Sequence, residues 1–534
     1  MKKRLDVIVV GSGIAGMTYA TQLVDRMGAD AVRVRMLSKA PVEVSNSFAA
    51  QGGVAAVIRS DDSFEQHVRD TLTVGAGRND PKVVRLVVGE GPSLIHGLIG
   101  IGAHFDADAK GHLQLAREGG HSTARVVHRR DFTGAEIVRV LRDRVRSSPA
   151  IQVLDDQRAM DLLTAGDGET RRCIGVRSLD LRNGDVVDLF AAAVVVATGG
   201  AGQVYQHNTN PIGATGDGVA MAIRAGVPLR DMAFVQFHPT ALYTEATGQA
   251  FLISEAVRGA GARLIRLDGR PLMKGVHPMD DLAPRNIVAR AIQRELMRSG
   301  SPHVWLDASS IGSLRFAQEF PSIDRQCRRL GIVPCQDLIP VTPAAHYLCG
   351  GIRTDDRGRT ALAGLFALGE CASSGMHGAD RLASNSLLEA LVIPKRAAEA
   401  ALAWSAPPAA PQAVVASNKG STRSHITIAR CLATLRHAMS AHAGIVRGPE
   451  GLKQVLRVLA RLDRLIGPTW ARGRWSVDLI DLRDMLAVAR AIVTSALSEP
   501  VSAGAHYWEE QDDQLPVPKR RGSKGPSTTE MEHT

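Results

Sequence analysis

Hydrophobic positions along this chain change their period in a way that marks an α/β protein. The run "LDVIVV" (residues 5–10) is short, continuous and β-branched, the pattern of a strand buried on both faces. A glycine turn follows, then "MTYATQLVDRM" with helical spacing, then a second β-branched run, "VRVRML". Farther on, "AAAVVVATGGAGQVY" (191–205) predicts a buried strand ending in a glycine turn. "GLFALGECASSGMHGADRLASNSLLEALV" (364–392) predicts a strand, a glycine-rich loop and a helix. These segments flank a long middle region, so the domain built on these strands is expected to be discontinuous, residues 1–238 and 341–403. Residues 239–340 are expected to form an inserted α+β cap. "SAPPAAPQAVVASNKGS" reads as a Pro/Ala/Ser linker within residues 404–420. Beyond it Leu452, Val455, Leu456, Leu459 and Leu462, then Leu479, Leu482, Met485, Leu486 and Ala489, repeat at helical spacing. A C-terminal helical bundle is therefore expected over residues 421–510.

The N-terminal "MKKRLDVIVV" has the basic start of a signal peptide, but its apolar run is short and leads into glycines instead of a cleavage site. It reads as a first strand. No run approaches the length of a bilayer span, so no membrane contact is expected and the protein is read as cytoplasmic. At 534 residues the chain exceeds the size at which one core keeps growing, consistent with several domains. A net charge of +10 suggests anionic ligands and a basic tail; Lys519, Arg520, Arg521 and Lys524 fall in residues 511–534, which lack apolar periodicity and read as disordered. With aromatics at 4%, a nucleic-acid reader is not expected. The six cysteines show no CxxC or comparable spacing, so neither zinc nor an iron–sulfur cluster is expected.

The strand–turn–helix context gives the glycine motif Gly11-Ser12-Gly13-Ile14-Ala15-Gly16 its meaning. Gly11 permits the tight turn, Gly13 lets a pyrophosphate approach the backbone, and Gly16 lets helix and strand pack closely, with the helix N-terminus facing the negative charge. The motif alone does not separate NAD from FAD. At the end of the second strand, where an acidic residue usually takes the ribose, stand Ser38 and Lys39, which weakens an NAD reading. Ser38 could bond a ribose and Lys39 a phosphate.

Separated motifs in one order, "GSGIAG", "AAQGG", "REGGHS", "ATGG", "TGDG", "FVQFHPT", "SEAVRG", "LAPRNIVARAI", "PAAHYLCGGI", "LFALGE" and "GADRLASNSLLEAL", span nearly the whole chain. With them the chain resembles the flavoprotein family that contains L-aspartate oxidases and the flavin subunits of succinate dehydrogenase and fumarate reductase. The resemblance implies an FAD-binding Rossmann-like domain, the inserted cap and the helical bundle. It places FAD against the Gly11–Gly16 turn, Ser38, Lys39, the stretch Asn46, Ser47, Phe48, Ala49, Ala50, Gln51, Gly52 and Gly53, and Asp217, Glu370, Ser386 and Leu387. Many members of the dehydrogenase and reductase group carry FAD covalently on a His five residues before the Gln of "AAQGG"; that position is Asn46 here, whose amide has no ring nitrogen, so FAD is expected to be non-covalent.

The resemblance also implies a dicarboxylate site. His238, His346 and Arg381 hold the carboxylates, with Gln236, Ser254, Glu255 and Ser384 close by, and Arg285 matches the family's proton-transferring arginine. An arginine is effectively always protonated, so in the oxidising direction Arg285 is read chiefly as an electrostatic and orienting group. Glu118 in "LAREGGHS" is expected to pair with the ammonium that distinguishes aspartate from succinate. The implied reaction is hydride removal from aspartate to FAD, giving iminoaspartate, with oxygen or fumarate as final acceptor, as the first step of de novo NAD synthesis. Quinolinate synthase would take the product. Near the end the family commonly has an Arg where this chain has Ala503. Two alternatives stay open: a succinate dehydrogenase or fumarate reductase type of flavoprotein, against which Asn46 and Glu118 argue, and a non-catalytic flavin-binding scaffold, which would not need the cationic motif set.

Overall fold

A computed structural model describes residues 4–246, 248–402, 413–417, 425–473 and 475–509. Its centre is a five-stranded parallel sheet, ordered Leu365–Ala367, Ala193–Val196, Leu5–Val10, Val32–Leu37, Ile151–Leu154. The chain thus starts in the middle strand, runs outward to one edge, and returns to fill the other side. That leaves a topological switch point beside Leu5–Val10, where the strand order reverses and a crevice opens at the carboxyl ends. The strands are apolar on both faces because both are covered. On one side the helices Ile14–Met27, Thr133–Ser147 and Asn385–Ala401 pack over Val7, Val9, Val34 and Val195. On the other, Ile8, Val10, Val194 and Val196 share a core with the C-terminal helices.

Those helices, His425–His442, Pro449–Ala471 and Val477–Leu497, bury the positions predicted by periodicity, with Leu456 only partly covered. They do not stand apart: their core is continuous with the central sheet. A buried ion network seals the joint, in which Arg158 reaches Asp217 (3.1 Å), Asp481 (2.8 Å) and Asp484 (2.7 Å), and Arg224 also pairs with Asp484 (2.8 Å).

Two sequence expectations need correction. Residues 404–420 are not linker throughout, since Ala413–Ser417 pairs antiparallel with Asp185–Phe190 at the edge of a sheet with Arg172–Asp180 and Gln157–Ala165. The "AVVAS" stretch has enough β-branched character to add an edge strand once that edge is offered, which prolines nearby concealed; the rest of 404–420 and the tail 511–534 lie outside the described residues. The second concerns span-length runs. Helix Pro81–Gly100 is long and apolar enough by length and composition, with mean hydropathy 1.2. Its Val83, Val84, Val87, Val88, Ile95 and Leu98 face is buried in the protein, and Lys82, Arg85 and Glu90 interrupt the run.

Residues 239–340 hold a core of their own, including Ile253, Val257, Leu264, Val288, Ile292, Leu306 and Phe316. The strands Val235–Leu242 and Ile339–Leu348 pair antiparallel and run through both proposed boundaries, 238/239 and 340/341, tying cap to base. Register shifts after Gln236 and after His238 break that ladder. Such irregularities re-aim side chains, and here they occur at the two polar residues of "QFH".

Candidate functional site

The crevice at the switch point is a cavity of about 540 Å³ running from the first glycine turn to the cap. At one end the fit to a dinucleotide can be read from the backbone. Gly11 has φ +111° and a Cβ there would lie 2.2 Å from the Ala197 carbonyl oxygen. A Cβ on Gly13 would meet Ser47 Oγ at 3.0 Å, and the helix Ile14–Met27 begins at Gly13 with no side-chain cap and no acidic residue in its first turn. A helix end so built is suited to an anionic phosphate. Ser47 Oγ accepts from Ile14 N at 3.1 Å, tying the Asn46–Gly53 stretch to that turn. Ser12 and Ser38 hydroxyls are 2.7 Å apart, and Ser38 donates to the Ala40 carbonyl. Lys39, read as a phosphate partner, forms a 3.0 Å ion pair with Asp217.

Asn46, Ser47, Phe48, Ala49, Ala50, Gln51, Gly52 and Gly53 all line the cavity, as do Ser12, Ala15, Ser38, Glu370, Ser386 and Leu387. Gln51 Oε1 is buried without a partner, an acceptor left for a ligand. Burial lifts the Glu370 carboxyl to about 7, although Leu348 N–H donates to it at 3.0 Å. Three predicted residues do not line the space. Ile14 and Gly16 face the protein interior, where a Cβ on Gly16 would lie 2.2 Å from the Gly11 carbonyl oxygen. Gln236 sits behind the arginines.

At the other end the cavity is cationic. Arg285 opens the helix Arg285–Ser299 of the cap, and Arg381 lies in the loop before Asn385–Ala401. Both donate to one oxygen, Gln236 Oε1, each at 3.0 Å. Gln236 is held in that orientation because its Nε2 donates to Asp380 Oδ1 (2.6 Å) and to the Arg381 carbonyl (2.7 Å). Burial pushes the Asp380 carboxyl up to about 6. Arg285 Nε also donates to Glu255 at 2.6 Å, and Glu255 lies 3.1 Å from Arg258, three residues on along a short helix. Burial works against the Glu255 carboxylate, but Arg285 and Arg258 outweigh it and hold its pKa at about 2. Arg381 also donates to Ser386 Oγ (2.8 Å) and stacks over the Tyr347 ring at 4.5 Å. Ser254, the side-chain cap of the Glu255 helix, lines the wall.

Two imidazoles, His238 and His346, line the same cavity 5.1 Å apart, edge to face. Thr240 N–H donates to His238 Nδ1 at 3.2 Å, so the proton resides on Nε2, and that atom is buried without a partner. Burial first, then Arg285, holds the pKa of His238 well below the ordinary imidazole range. It is therefore a neutral hydrogen-bond donor facing the cavity. His346 is depressed likewise, by burial and then Arg381, with its Nδ1 fixed 2.7 Å from Thr209 Oγ1.

Glu118 lines the same pocket, on a loop beside Glu255. Ser384 Oγ donates to it at 2.6 Å and in turn accepts from Gly53 N–H at 3.2 Å. Burial and the nearby Glu255 charge raise its pKa. The loop is tight: a Cβ on Gly119 would sit 2.0 Å from Glu255 Oε1. The pocket thus joins two arginines, two neutral imidazoles, the ionised Glu255 and, in Glu118, a carboxylate whose charge is costly unless a cation arrives. Sequence reading missed Arg258, Tyr347, Asp380 and Thr209. Arg258 had a signal, its i+3 spacing from Glu255; Thr209 had none.

Residues 6–387 match the family model described as FAD binding domain, and residues 432–522 match that of the fumarate reductase flavoprotein C-terminus. The L-aspartate oxidase 1 of Ralstonia nicotianae is 44% identical over 96% of this chain and 96% of its own. The L-aspartate oxidase of Streptomyces coelicolor is 41% identical over 97% and 90%. Among solved structures, an E. coli quinol fumarate reductase superposes with a TM-score of 0.84 at 32% identity, covering 96% of this chain and 92% of that one.

Proposed function

The chain belongs to the L-aspartate oxidases within the succinate dehydrogenase and fumarate reductase flavoproteins, and from that premise we infer how its own residues serve the reaction. It oxidises L-aspartate to iminoaspartate with FAD, passing electrons on to oxygen or fumarate, as the first step of NAD biosynthesis. FAD supplies the acceptor for the hydride leaving the substrate Cα.

The single observation that supports aspartate over other dicarboxylates is the buried Glu118 carboxylate facing the cationic end of the pocket. Arg381, the Nε2–H of His238 and the His346 ring take the carboxylates; a guanidinium suits a carboxylate's planar geometry. Gln236 does not touch substrate. It accepts from Arg285 and Arg381 and so sets where both point. Glu118, with one oxygen on Ser384, offers the other to the substrate ammonium. In the fumarate direction Arg285 gives a proton to carbon, and the buried Glu255–Arg258 pair beside it holds its guanidinium in place. Iminoaspartate hydrolyses readily, so quinolinate synthase is the partner suited to collect it.

Glu118→Gln tests this reading. It keeps size and the Ser384 bond but removes the charge, so kcat/KM for aspartate should fall by about 2–3 kcal/mol in transition-state terms while fumarate reduction is largely kept. Equal losses in both reactions would make Glu118 structural.

A further inference from the structure

We propose that the C-terminal turn Ala503–His506, together with Tyr507, sets the spacing of Arg285 and Arg381 across the cap–base boundary. The proposal rests on the reading above, in which Arg381 holds a substrate carboxylate and Arg285 is the electrostatic and orienting group over the substrate. They belong to different bodies of the fold: Arg285 begins a cap helix, whereas Arg381 sits in the base loop before Asn385–Ala401. Their shared contact, Gln236, lies beneath both and does not fix the cap from outside.

The turn holds both sides at once. On the cap side, Asn286, Arg290 and Arg294 recur every four residues and so form one stripe of the Arg285 helix. Asn286 Nδ2 donates to the Gly504 carbonyl at 2.8 Å. The Arg290 guanidinium lies 5.0 Å from the centre of the Tyr507 ring and that of Arg294 5.8 Å, with Arg294 also donating to the Tyr507 hydroxyl at 3.3 Å. On the base side, Ala505 N–H donates to the Ala379 carbonyl at 2.9 Å, two residues before Arg381. Gly504 has φ +51° and its Cβ position would lie 2.5 Å from that same carbonyl oxygen, so only glycine lets the backbones approach.

The turn is itself anchored. His506 bonds the Glu499 carbonyl at 2.8 Å and Arg447 at 3.0 Å, and Arg447 is buried and donates to the Gly444 and Ala233 carbonyls. Strand Tyr507–Trp508 pairs with Val446–Arg447. A rigid post in the helical region therefore touches the residue after Arg285 and the residue two before Arg381. With Ala at 503, the cations of this contact come from the cap helix and the ring from the tail. Tyr507, Asn286 and Gly504 act as positioning residues: they touch no substrate, but a displacement on the ångström scale of either arginine weakens a two-ended dicarboxylate.

The test uses the full-length FAD-loaded protein and titrates succinate, an unreactive probe for an aspartate oxidase, by the change in flavin absorbance. Tyr507→Leu should weaken succinate about tenfold and raise KM for aspartate in parallel, whereas Tyr507→Phe, which keeps the ring beneath Arg290, should stay within about twofold. FAD affinity and thermal unfolding should match wild type in both, which a merely structural role would not allow. Asn286→Ala, removing one hydrogen bond only, should weaken succinate about threefold and serves if Tyr507→Leu fails to fold. Wild-type succinate affinity in a folded Tyr507→Leu or Asn286→Ala, or equal loss in the Leu and Phe variants, overturns the proposal. Failure of wild type to oxidise aspartate would strike the substrate reading instead and leave the succinate titration valid.

Discussion

At the scale of the residue, the carboxylates of this site sit in opposed environments, and on the proposed reading that difference carries its discrimination. Glu255 is held ionised by two arginines, while Glu118 is buried with only a hydroxyl partner and its pKa is raised. The sign follows: a raised carboxyl takes up its proton at a higher pH than an ordinary glutamate, and in that form it no longer attracts an ammonium. Acidification should therefore lower kcat/KM for aspartate at pH values above the usual glutamate range near about 4.3, through a limb that belongs to the free enzyme. Fumarate reduction should lack that limb, and so should the residual aspartate activity of Glu118→Gln. Asn46 makes a second claim at this scale. It lines the cavity and has no nucleophilic ring nitrogen, so acid precipitation should release the yellow colour into the supernatant; colour kept in a washed pellet would contradict non-covalent FAD. That both residues line the cavity was legible in sequence through the motifs around them. Gln236 was legible as near the site but not as the acceptor shared by two arginines, since its partner Arg381 is 145 residues away.

Elements were read best where local pattern and burial agree. The strands Leu5–Val10, Val32–Leu37, Ala193–Val196 and Leu365–Ala367 were visible as apolar runs because covered parallel strands need no polar face. Ala413–Ser417 was not, because an edge strand in a Pro/Ala-rich stretch forms only when a distant partner supplies the ladder. Nor were the register shifts at Gln236 and His238, which exist only in the pairing with Ile339–Leu348. The first turn shows the strongest local constraint. Gly11→Ala would place a Cβ against the Ala197 carbonyl in a backbone conformation that L-residues avoid, a cost of about 1–3 kcal/mol for the strain alone. FAD titration should show at least tenfold weaker binding and urea unfolding a lower midpoint; wild-type FAD affinity would mean the turn can relax without disturbing the cradle.

At the scale of the whole molecule, two bodies line the pocket and a third braces both. The base supplies the dinucleotide cradle and Arg381, the cap supplies Arg285 and Glu255, and the C-terminal region shares the base's core and touches both. The motif order in the sequence disclosed the first two; the third was legible only as helices, because the turn Ala503–His506 acquires meaning from contacts with residues more than a hundred positions away. The central claim is that this assembly oxidises an amino dicarboxylate and not its deaminated counterpart. The direct measurement is aerobic incubation of the FAD-loaded protein with L-aspartate, following hydrogen peroxide and the oxaloacetate formed when iminoaspartate hydrolyses, with succinate as control. Equal amounts of peroxide and oxaloacetate from aspartate, and neither peroxide nor flavin reduction from succinate, are predicted; ready reduction of the flavin by succinate with L-aspartate untouched would contradict it.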